Sequence, residues 1–484
     1  MMTAQTALIV GLLAPLVTAL LVPMLAVRAN WRDAAGPIGA IVSFISALYV
    51  AAAVMHGEGP ELTILKIMPG LDLTFAVTPP GAVFGCVASG LWILASLYTT
   101  GYMRGNNEKH QTRFAICYAV AVHAAMAIAN SDNLMVLFIF YEILTFSTYP
   151  LVTHKETKEA VAAGRLYMGI LVGTSVVLLL PAMIWVWVLT GSLDFTPGGL
   201  LGDTLSPQYA PWMLALFAFG IGKAALMPIH RWLPAAMVAP TPVSALLHAV
   251  AVVKAGVFTM LMVVVYIFGI DFLSQTGASE WLAWLAAYTI LASSIVAITK
   301  DDIKARLAYS TISQLSYIVL AAALATSLAV EAGLLHIVMH ATAKITLFFC
   351  AGAIYVGAHL NKVSQLDGLG PRMPLVFIAF TLGALSIIGI PPMGGSWSKF
   401  LLMAGAVDAG LPLMVAVLAV SSLLNVYYLL EPVLRAFFRP VNREIEINTP
   451  VLTVLPPVLT AIISLMIFFA VDLLTPFSQM MVMP

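Results

Sequence analysis

Five basic residues of this 484-residue chain lie inside apolar stretches and not at their ends. They are Lys223, Arg231, Lys254, Lys344 and Lys399. Among the carboxylates, only Glu142 occupies the middle of such a stretch. An unpaired charge at the centre of a bilayer costs roughly 2.5 to 3.5 kcal/mol, so intramembrane lysines are seldom kept without a function. Burial weakens an ammonium group's hold on its proton and a nearby carboxylate strengthens it. A buried lysine whose carboxylate can approach or withdraw is therefore predicted to be a switchable proton carrier.

Two of these lysines stand beside residues that interrupt a helix. Lys223 lies in PWMLALFAFGIGKAALMPIHRWLPAAM, where Pro228 removes a backbone hydrogen bond and predicts a break just after the lysine. Lys399 follows the run IPPMGG in LGALSIIGIPPMGGSWSKFLLMAGAV, which predicts a second break just before it. Interrupted segments in both halves of a chain are typical of internally repeated transporters, whose pathway lies at the breaks.

A row of titratable residues lies between the two breaks. His336, His340 and Lys344 in LLHIVMHATAKITLFF are spaced i, i+4 and i+8, which places them on one face of a helix. Histidine titrates near neutrality and can pass a proton between its two nitrogens. In TPVSALLHAVAVVKAGVF, His248 and Lys254 predict the middle station of the first half. The spacing therefore predicts a proton relay.

The simpler interpretation of each residue is structural. A single histidine is most often a packed core residue, and a lysine can extend toward the headgroups if it lies near the end of a span. Arg231 fits an anchor on the cytoplasmic half equally well. For His123, His154 and His230 an interfacial position is favoured.

The composition indicates the class of protein that must hold these residues. Of all residues 61% are hydrophobic and 9% are charged, whereas soluble chains carry about a quarter charged residues. This excludes an ordinary soluble enzyme, and a net charge of zero gives no reason to expect a nucleic-acid partner. About fourteen apolar stretches of spanning length predict an all-α polytopic membrane protein. They lie near 4–27, 36–55, 80–103, 113–130, 133–152, 163–190, 209–239, 243–268, 280–299, 305–325, 330–358, 374–408, 411–434 and 449–474.

The distribution of basic residues predicts an orientation. Sixteen of the 22 Lys and Arg residues fall in the odd-numbered loops between these stretches, and Lys66 alone falls in an even-numbered loop. Because basic residues near span ends are retained on the cytoplasmic side, both termini are predicted to lie outside.

No cofactor or metal site is predicted. Cys86, Cys117 and Cys350 stand singly in apolar segments, without the spacing of metal ligands or of a disulfide framework. We expect them to be small core residues.

Several runs of the sequence are similar to a known family. They are DNLMVLFIFYEILTFSTYPLV, FAFGIGKAALMPIHRWLPAAM, APTPVSALLHAVAVVKAG, DIKARLAYSTISQLSY, HIVMHATAKITLFFCAG and IPPMGGSWSKF. The chain resembles the antiporter-like subunits shared by respiratory complex I, Mrp-type cation/proton antiporters and membrane-bound hydrogenases. The resemblance implies fourteen helices with two inverted five-helix repeats, each with a broken helix. The first repeat would occupy 113–268 and the second 280–434, after helices 1–3 in 1–112 and before helix 14 in 435–484.

The resemblance also implies roles for individual residues. Glu142 and Lys223 match the family's Glu–Lys pair, with Lys254 and His248 matching the central position of the first repeat. In the second repeat, His336, His340 and Lys344 match the central position and Lys399 the terminal one. The implied partners are other membrane subunits and protons, in a bacterial or archaeal inner membrane. No motif decides whether Na⁺ is transported as well.

Three functions remain open on the sequence alone. The first is the proton-translocating subunit of an Mrp-type antiporter, similar in length to the D-type subunit. The second is a proton-pumping subunit of a complex I-like NADH:quinone oxidoreductase or a hydrogenase, in which any redox chemistry would belong to partner subunits. The third, a stand-alone solute carrier, would require a cavity lined by polar groups. In the first two we expect protons to pass from Lys223 to Lys254, then through His336, His340 and Lys344 to Lys399.

Overall fold

The computed structural model describes residues 3–68, 71–202, 204–440 and 446–482, without the side chains of residues 68, 247 and 248. Within these ranges the chain forms twenty α-helices. They are α1 (Ala4–Met24), α2 (Ala29–Met55), α3 (Pro79–Gly105), α4 (Gln111–Ala129), α5 (Leu134–Val152), α6 (Lys158–Thr174), α7 (Leu180–Thr190), α8 (Ala210–Gly220), α9 (Trp232–Ala235), α10 (Thr241–Ala245), α11 (Val252–Met262), α12 (Ile270–Thr276), α13 (Glu280–Thr299), α14 (Ile303–Ala323), α15 (Ser327–Ala358), α16 (Pro374–Ile388), α17 (Gly395–Asp408), α18 (Leu413–Phe438), α19 (Val451–Phe469) and α20 (Thr475–Val482).

Many of these helices have the length and composition of membrane spans. Among the described residues, 10 helical segments are long and apolar enough to cross a bilayer, with α6 and α7 counted as one continuous segment, Lys158–Thr190. The number is 11 if Val252–Phe268 and Ile270–Thr276, which meet at 80°, form one broken span. The predicted class, a helical polytopic membrane protein, is confirmed.

A β-hairpin was not predicted. Strands β1 (Glu61–Met68) and β2 (Leu71–Ala76) pair antiparallel between α2 and α3, with Lys66 opposite Asp72. The hairpin contacts the start of α5, where the Asn133 side chain donates a hydrogen bond of 2.9 Å to the carbonyl oxygen of Asp72. The all-α prediction is therefore wrong for this segment, whose short alternation of apolar and polar residues does not by itself distinguish a strand from a loop.

The long helix α15 forms the centre of the bundle. An apolar stretch of 18 residues in this helix is entirely buried. The helices that pack against α15 include α3, α10, α11, α14, α16, α17 and α19. Because no side of this stretch faces lipid, its polar side chains must find their partners inside the protein. Helix α15 carries His336, His340 and Lys344.

The first helix break lies three residues earlier than predicted. Helix α8 ends at Gly220, and Lys223 lies in a 3₁₀ turn, Gly222–Ala224, that ends at Ala225 with φ +54°. The Pro228 ring would collide with the carbonyl four residues earlier, at Ala224, so a helix cannot run through this segment. Lys223 is therefore part of the break and does not precede it.

Two further irregularities accompany the other lysines. The break before Lys399 is confirmed, because α16 ends at Ile388, Gly389 has φ +89°, and α17 begins at Gly395. A π-helical turn, Leu246–Val250, precedes α11, which carries Lys254. No sequence signal predicted this turn.

Gly256 of α11 fixes the position of the first break. A Cβ atom at Gly256 would lie 2.4 Å from the carbonyl carbon of Lys223 and 2.4 Å from the amide nitrogen of Ala224. Such a contact cannot be relieved by rotating a side chain, so only glycine allows α11 to approach the break this closely.

We expect Gly256→Ala to destabilise the protein by about 1–3 kcal/mol, the usual cost of overpacking a buried site. Thermal unfolding of the detergent-solubilised protein measures this cost. Gly169→Ala on α6 is the control, because nothing lies within 4 Å of its Cβ position. An unfolding midpoint for Gly256→Ala equal to that of the wild type would contradict the close approach.

Candidate site of buried titratable residues

Lys223 is completely buried and is held by α5. Its Nζ atom donates hydrogen bonds to the carbonyl oxygen of Tyr141 at 2.7 Å and to Thr145 Oγ1 at 2.6 Å. Its backbone N–H donates to the Tyr141 hydroxyl at 3.1 Å. The break in the backbone frees this N–H from the helical pattern, and the Tyr141 side chain satisfies it.

Glu142 is adjacent to these contacts but makes no ion pair with Lys223. Neither residue takes part in an ion pair within 4.0 Å in the described part of the chain. Both Glu142 carboxylate oxygens are buried without a hydrogen-bond partner among the described residues. The Lys223 ammonium instead binds Tyr141 and Thr145, the residues one before and three after Glu142 on the same helix. The predicted pair is thus not closed: Glu142 stands between the two residues that hold Lys223, but its carboxylate makes no hydrogen bond among the described residues.

Lys254 and His340 form a direct contact between the two halves of the chain. Lys254 Nζ on α11 lies 2.6 Å from His340 Nδ1 on α15, and both residues are buried. An amine and an imidazole at this distance share one proton between them, so either residue can hold it.

His336 lies one turn from His340 with its ring in a stack. The rings of His336 and His340 are 5.9 Å apart, and on its other side His336 stacks on Tyr317 at 5.5 Å with an interplanar angle of 10°. His336 Nδ1 is 2.9 Å from Ser398 Oγ, next to Lys399 in the sequence.

Lys344 and Lys399 are both hydrogen-bonded to neutral groups. Lys344 Nζ donates to Ser310 Oγ at 2.6 Å. Lys399 Nζ donates to Ser422 Oγ and to the carbonyl oxygen of Ile388, each at 3.0 Å. Ile388 is the last residue of α16, and its carbonyl belongs to the partially negative end of that helix, which favours a cation.

The structure thus brings most of the predicted residues together. Lys254 contacts α15, which carries His336, His340 and Lys344, and Ser398 beside Lys399 contacts His336. Lys223 reaches this group through Gly256 of α11, two residues from Lys254. The side chain of His248 lies outside the described part of the structure.

The residues predicted to be interfacial lie elsewhere. Arg231, one of the five basic residues expected inside an apolar stretch, is exposed, so that placement is wrong and the anchor interpretation remains. His123 Nδ1 is 2.8 Å from the carbonyl oxygen of Leu12. His154 follows the end of α5, where burial, assisted by the Arg113 charge, lowers its pKa to about 4. His154 is therefore neutral at pH 7.

Sequence reasoning missed the hydroxyl groups that accept hydrogen bonds from the buried lysines. They are Thr145, Ser310 and Ser422. Serine and threonine are common in helices and usually bond to their own backbone, so their types and spacing do not distinguish these three. For Thr145 alone the sequence gives a signal, because it stands three residues after Glu142.

The helices and the buried bases together define a polytopic membrane protein with titratable groups aligned in its interior. The chain belongs to the NADH:quinone oxidoreductase/Mrp antiporter transmembrane family, whose model matches residues 131–425.

Relatives in this family include subunits of two kinds of complex. The NADH-quinone oxidoreductase subunit N of Desulforudis audaxviator is 30% identical over 398 residues, which cover 81% of this chain and 78% of that protein. The NAD(P)H-quinone oxidoreductase chain 5 of Synechocystis is 31% identical over 68% of this chain and 49% of its own length. The A-type Na(+)/H(+) antiporter subunit of Alkalihalophilus pseudofirmus is 27% identical over 94% of this chain and 60% of its own length. The match to this chain thus spans about half of the length of the Synechocystis protein and three fifths of the length of the Alkalihalophilus protein.

Two solved structures share the fold over nearly the whole chain. A chain of the Mrp complex from Dietzia sp. superposes with a TM-score of 0.87 at 20% identity, covering 100% of this chain and 97% of that one. A chain of an archaeal membrane-bound sulfane sulfur reductase superposes with a TM-score of 0.85 at 23% identity, covering 98% and 96%.

The Lys254–His340 contact predicts a measurable coupling. Lys254→Met and His340→Leu should each destabilise the protein, and the double variant should lose less than the sum of the two by about 0.5–3 kcal/mol. The reason is that each single variant leaves a buried polar partner unsatisfied. Thermal unfolding of the four proteins in detergent measures the difference. As a control, the stability losses of Lys254→Met and Ser464→Ala on α19 should add in the double variant. If the losses of Lys254→Met and His340→Leu also add, the contact is contradicted.

Proposed function

We propose that the chain is a proton-translocating membrane subunit of a multisubunit cation/proton antiporter of Mrp type, similar to the D-type subunit. The observation that carries the proposal is the series of buried bases Lys254, His340, His336 and Lys344, in which Lys254 contacts His340, His336 contacts Ser398 and Lys344 donates to Ser310. Membership of the family and the fold shared with an Mrp complex chain support it.

The proposed relay begins at Glu142 and Lys223. When the Glu142 carboxylate withdraws, the Lys223 ammonium loses its electrostatic support and its proton is driven toward Lys254. Lys254 passes the proton to the bases of α15. From there it moves to Lys399 and the outside. Neutral acceptors suit this role, because a carboxylate bound to each lysine would fix the charge in place.

The proposal includes a finer topology. The chain crosses the membrane fourteen times, with both termini outside and inverted five-helix repeats in 113–268 and 280–434, flanked by 1–112 and 435–484. The two broken segments, at Lys223 and before Lys399, support this arrangement because each falls in a different repeat. The membrane is the inner membrane of a bacterium or an archaeon, and the partners are other membrane subunits of the same complex.

Replacement of Glu142, Lys223 or Lys399 by Ala should abolish proton transport, with a loss of roughly a hundredfold or more, because each removes a proton-carrying group. The complete complex is reconstituted in proteoliposomes, and a pH-sensitive dye reports proton movement. Thr259→Ala is the control, because Thr259 is equally buried on α11 but its hydroxyl donates to the carbonyl of Ala255 in its own helix.

The same preparations test assembly. Each variant should copurify with as much of its partner subunits as the wild type. If the Ala variant of Glu142, Lys223 or Lys399 transports protons at the wild-type rate, the residue replaced in it is not part of the relay.

The parent complex is decided by purification. We expect the tagged chain to copurify with the other membrane subunits of a cation/proton antiporter. Recovery of quinone-reducing or iron–sulfur subunits would favour the second candidate, a proton-pumping subunit of a complex I-like oxidoreductase or a hydrogenase, which the similarity to subunit N supports. Solute transport by the chain expressed alone would indicate a stand-alone carrier and exclude both. Repeating the antiport assay with and without Na⁺ identifies the second ion.

A further inference from the structure

We propose that protons pass from Lys344 to Lys399 along a line of hydroxyl groups between α13, α14 and α18. The proposal deepens the proposed function and rests on it. The line consists of Ser310, Tyr428, Ser294, Ser313, Ser421, Tyr317 and Ser422, in order from Lys344 to Lys399.

The line begins at the Lys344 ammonium. Lys344 Nζ donates to Ser310 Oγ at 2.6 Å, and the Tyr428 hydroxyl oxygen lies 2.9 Å from the same Ser310 oxygen. Tyr428 lies on α18, which packs against α13, the helix that carries Ser294. Ser310 and Tyr428 thus carry the line from Lys344 to α18, beside α13.

Three serines from three different helices meet in the middle of the line. Ser294 Oγ of α13 lies 3.0 Å from Ser313 Oγ of α14 and 3.4 Å from Ser421 Oγ of α18. Ser313 Oγ and Ser421 Oγ are 3.5 Å apart. All three are completely buried. Isolated helix serines bond to their own backbone, so a cluster of three facing hydroxyls is unusual for packing alone.

The line ends at the Lys399 amine. The Tyr317 hydroxyl donates to the carbonyl oxygen of Leu418 at 3.5 Å, one turn before Ser421 and Ser422 on α18, and Lys399 Nζ lies 4.9 Å from the centre of the Tyr317 ring. Ser422 Oγ accepts a hydrogen bond of 3.0 Å from Lys399 Nζ. The line is therefore hydrogen-bonded to a lysine at each end, with the three serines between.

Two buried amides beside the line have unused hydrogen-bonding capacity. Gln314 is completely buried near the Tyr317 hydroxyl, yet neither of its polar atoms has a well-formed hydrogen bond among the described residues. Asn425 accepts from Tyr428 through Oδ1, while its Nδ2 has no partner in the same part of the chain. Leaving such groups unsatisfied costs about 1–3 kcal/mol each, and buried water is the usual partner. The amides thus mark places where water can join the line.

The spacing on α14 explains how one helix supplies much of the line. Ser310, Ser313, Gln314 and Tyr317 are spaced i, i+3, i+4 and i+7, which places them on one face. Ser421 and Asn425 are spaced i and i+4 on α18. The two faces meet, and α13 closes the line with Ser294.

A hydroxyl group can accept a proton on one lone pair and release its own proton on the other side. When a proton leaves the Lys344 ammonium, each oxygen in turn forms one O–H bond and breaks another. At the far end the Ser422 hydroxyl turns to donate, and the lone pair of the neutral Lys399 amine receives the last proton. No electron is transferred and no other reactant is needed. Ser294 and Ser313 also donate to the carbonyl of Ile290, at 2.8 and 3.1 Å. Rotation about their C–O bonds turns these hydroxyls into the line.

The stacked histidines offer a less continuous path to Lys399. His336 reaches Ser398, but the Ser398 hydroxyl donates to the carbonyl of Gly395 at 3.2 Å. Within the described ranges, Lys399 Nζ donates to Ile388 and Ser422 and not to Ser398. The hydroxyl line is the path that reaches the amine itself.

Substitution of Ser421 tests the line with a pair of variants of the same shape. Ser421→Thr keeps the hydroxyl and Ser421→Val removes it, while both add similar volume. In the reconstituted complex we expect the valine variant to transport protons about tenfold or more slowly than the threonine variant, because one relay group is lost. The matched control is Ser316 of α14, which is equally buried and, within the described part of the chain, is bonded to its own helix at the carbonyl of Ile312. Ser316→Val and Ser316→Thr should transport at equal rates.

Tyr428→Phe provides a second test that adds no volume. It should slow transport, whereas Tyr98→Phe should not, because the buried Tyr98 hydroxyl donates to the carbonyl of Phe349, away from the line. Equal rates for the two Ser421 variants, or a wild-type rate for Tyr428→Phe, would overturn the hydroxyl line.

Lys344→Ala and Lys399→Ala separate the two proposals in the same assay. If both stop transport while the hydroxyl variants do not, the relay stands and the line is wrong. If both transport normally, the proposed function fails together with the line, because its two ends carry no proton.

Discussion

The hydrogen bonds that solvate four buried lysines, without a carboxylate bound to any of them, are the interaction on which the rest of the structure depends. Lys223, Lys344 and Lys399 each donate to neutral acceptors, at distances between 2.6 and 3.0 Å, and Lys254 lies 2.6 Å from an imidazole nitrogen of His340. Burying a charge is costly unless it is hydrogen-bonded, and these contacts reduce the cost without a counter-charge. A neutral acceptor also solvates an unprotonated amine acceptably, whereas a bound carboxylate would be left uncompensated. The same contacts that make the lysines tolerable therefore leave their protons free to move.

Irregular backbone supplies part of this solvation. A continuous helix uses its carbonyls internally, so a lysine inside it has few backbone acceptors. The end of α16 at Ile388 exposes a carbonyl to Lys399, and the 3₁₀ turn at Lys223 frees an N–H for Tyr141. The 3₁₀ turn at Lys223 packs against α11. In the break before Lys399, Gly394 lies against Met339 of α15 and Ser464 of α19, whereas Ile390, Pro391 and Pro392 are exposed. In contrast, α15 is unbroken and relies on side chains of its neighbours.

The features that could be predicted from the sequence follow from strong local rules. Apolar length predicted the helical membrane fold, Pro391 to Gly395 predicted the break before Lys399, and the i, i+4, i+8 spacing placed three bases on one face of α15. Prediction failed where tertiary contacts decide. The break at Lys223 begins early because the backbone N–H of Lys223 has an external partner in Tyr141, which lies 82 residues away in sequence. The hairpin is stabilised by contacts with α5, and the hydroxyl partners depend on which helices meet. None of these has a local signature.

Helix α11 connects the Lys223 break to the bases of α15, because it packs against both. Its Gly256 touches the backbone of Lys223, and its Lys254 touches His340, only two residues away along the same helix. The Lys223 backbone is thus fixed, while its long flexible side chain can exchange Tyr141 and Thr145 for the Glu142 carboxylate, whose oxygens have no hydrogen-bond partner among the described residues. In the proposed relay, a closed Glu142–Lys223 pair holds the charge and the open arrangement releases it. Because packed helices respond as rigid units, any displacement of the break on closing must move α11 and hence the distance between Lys254 and His340.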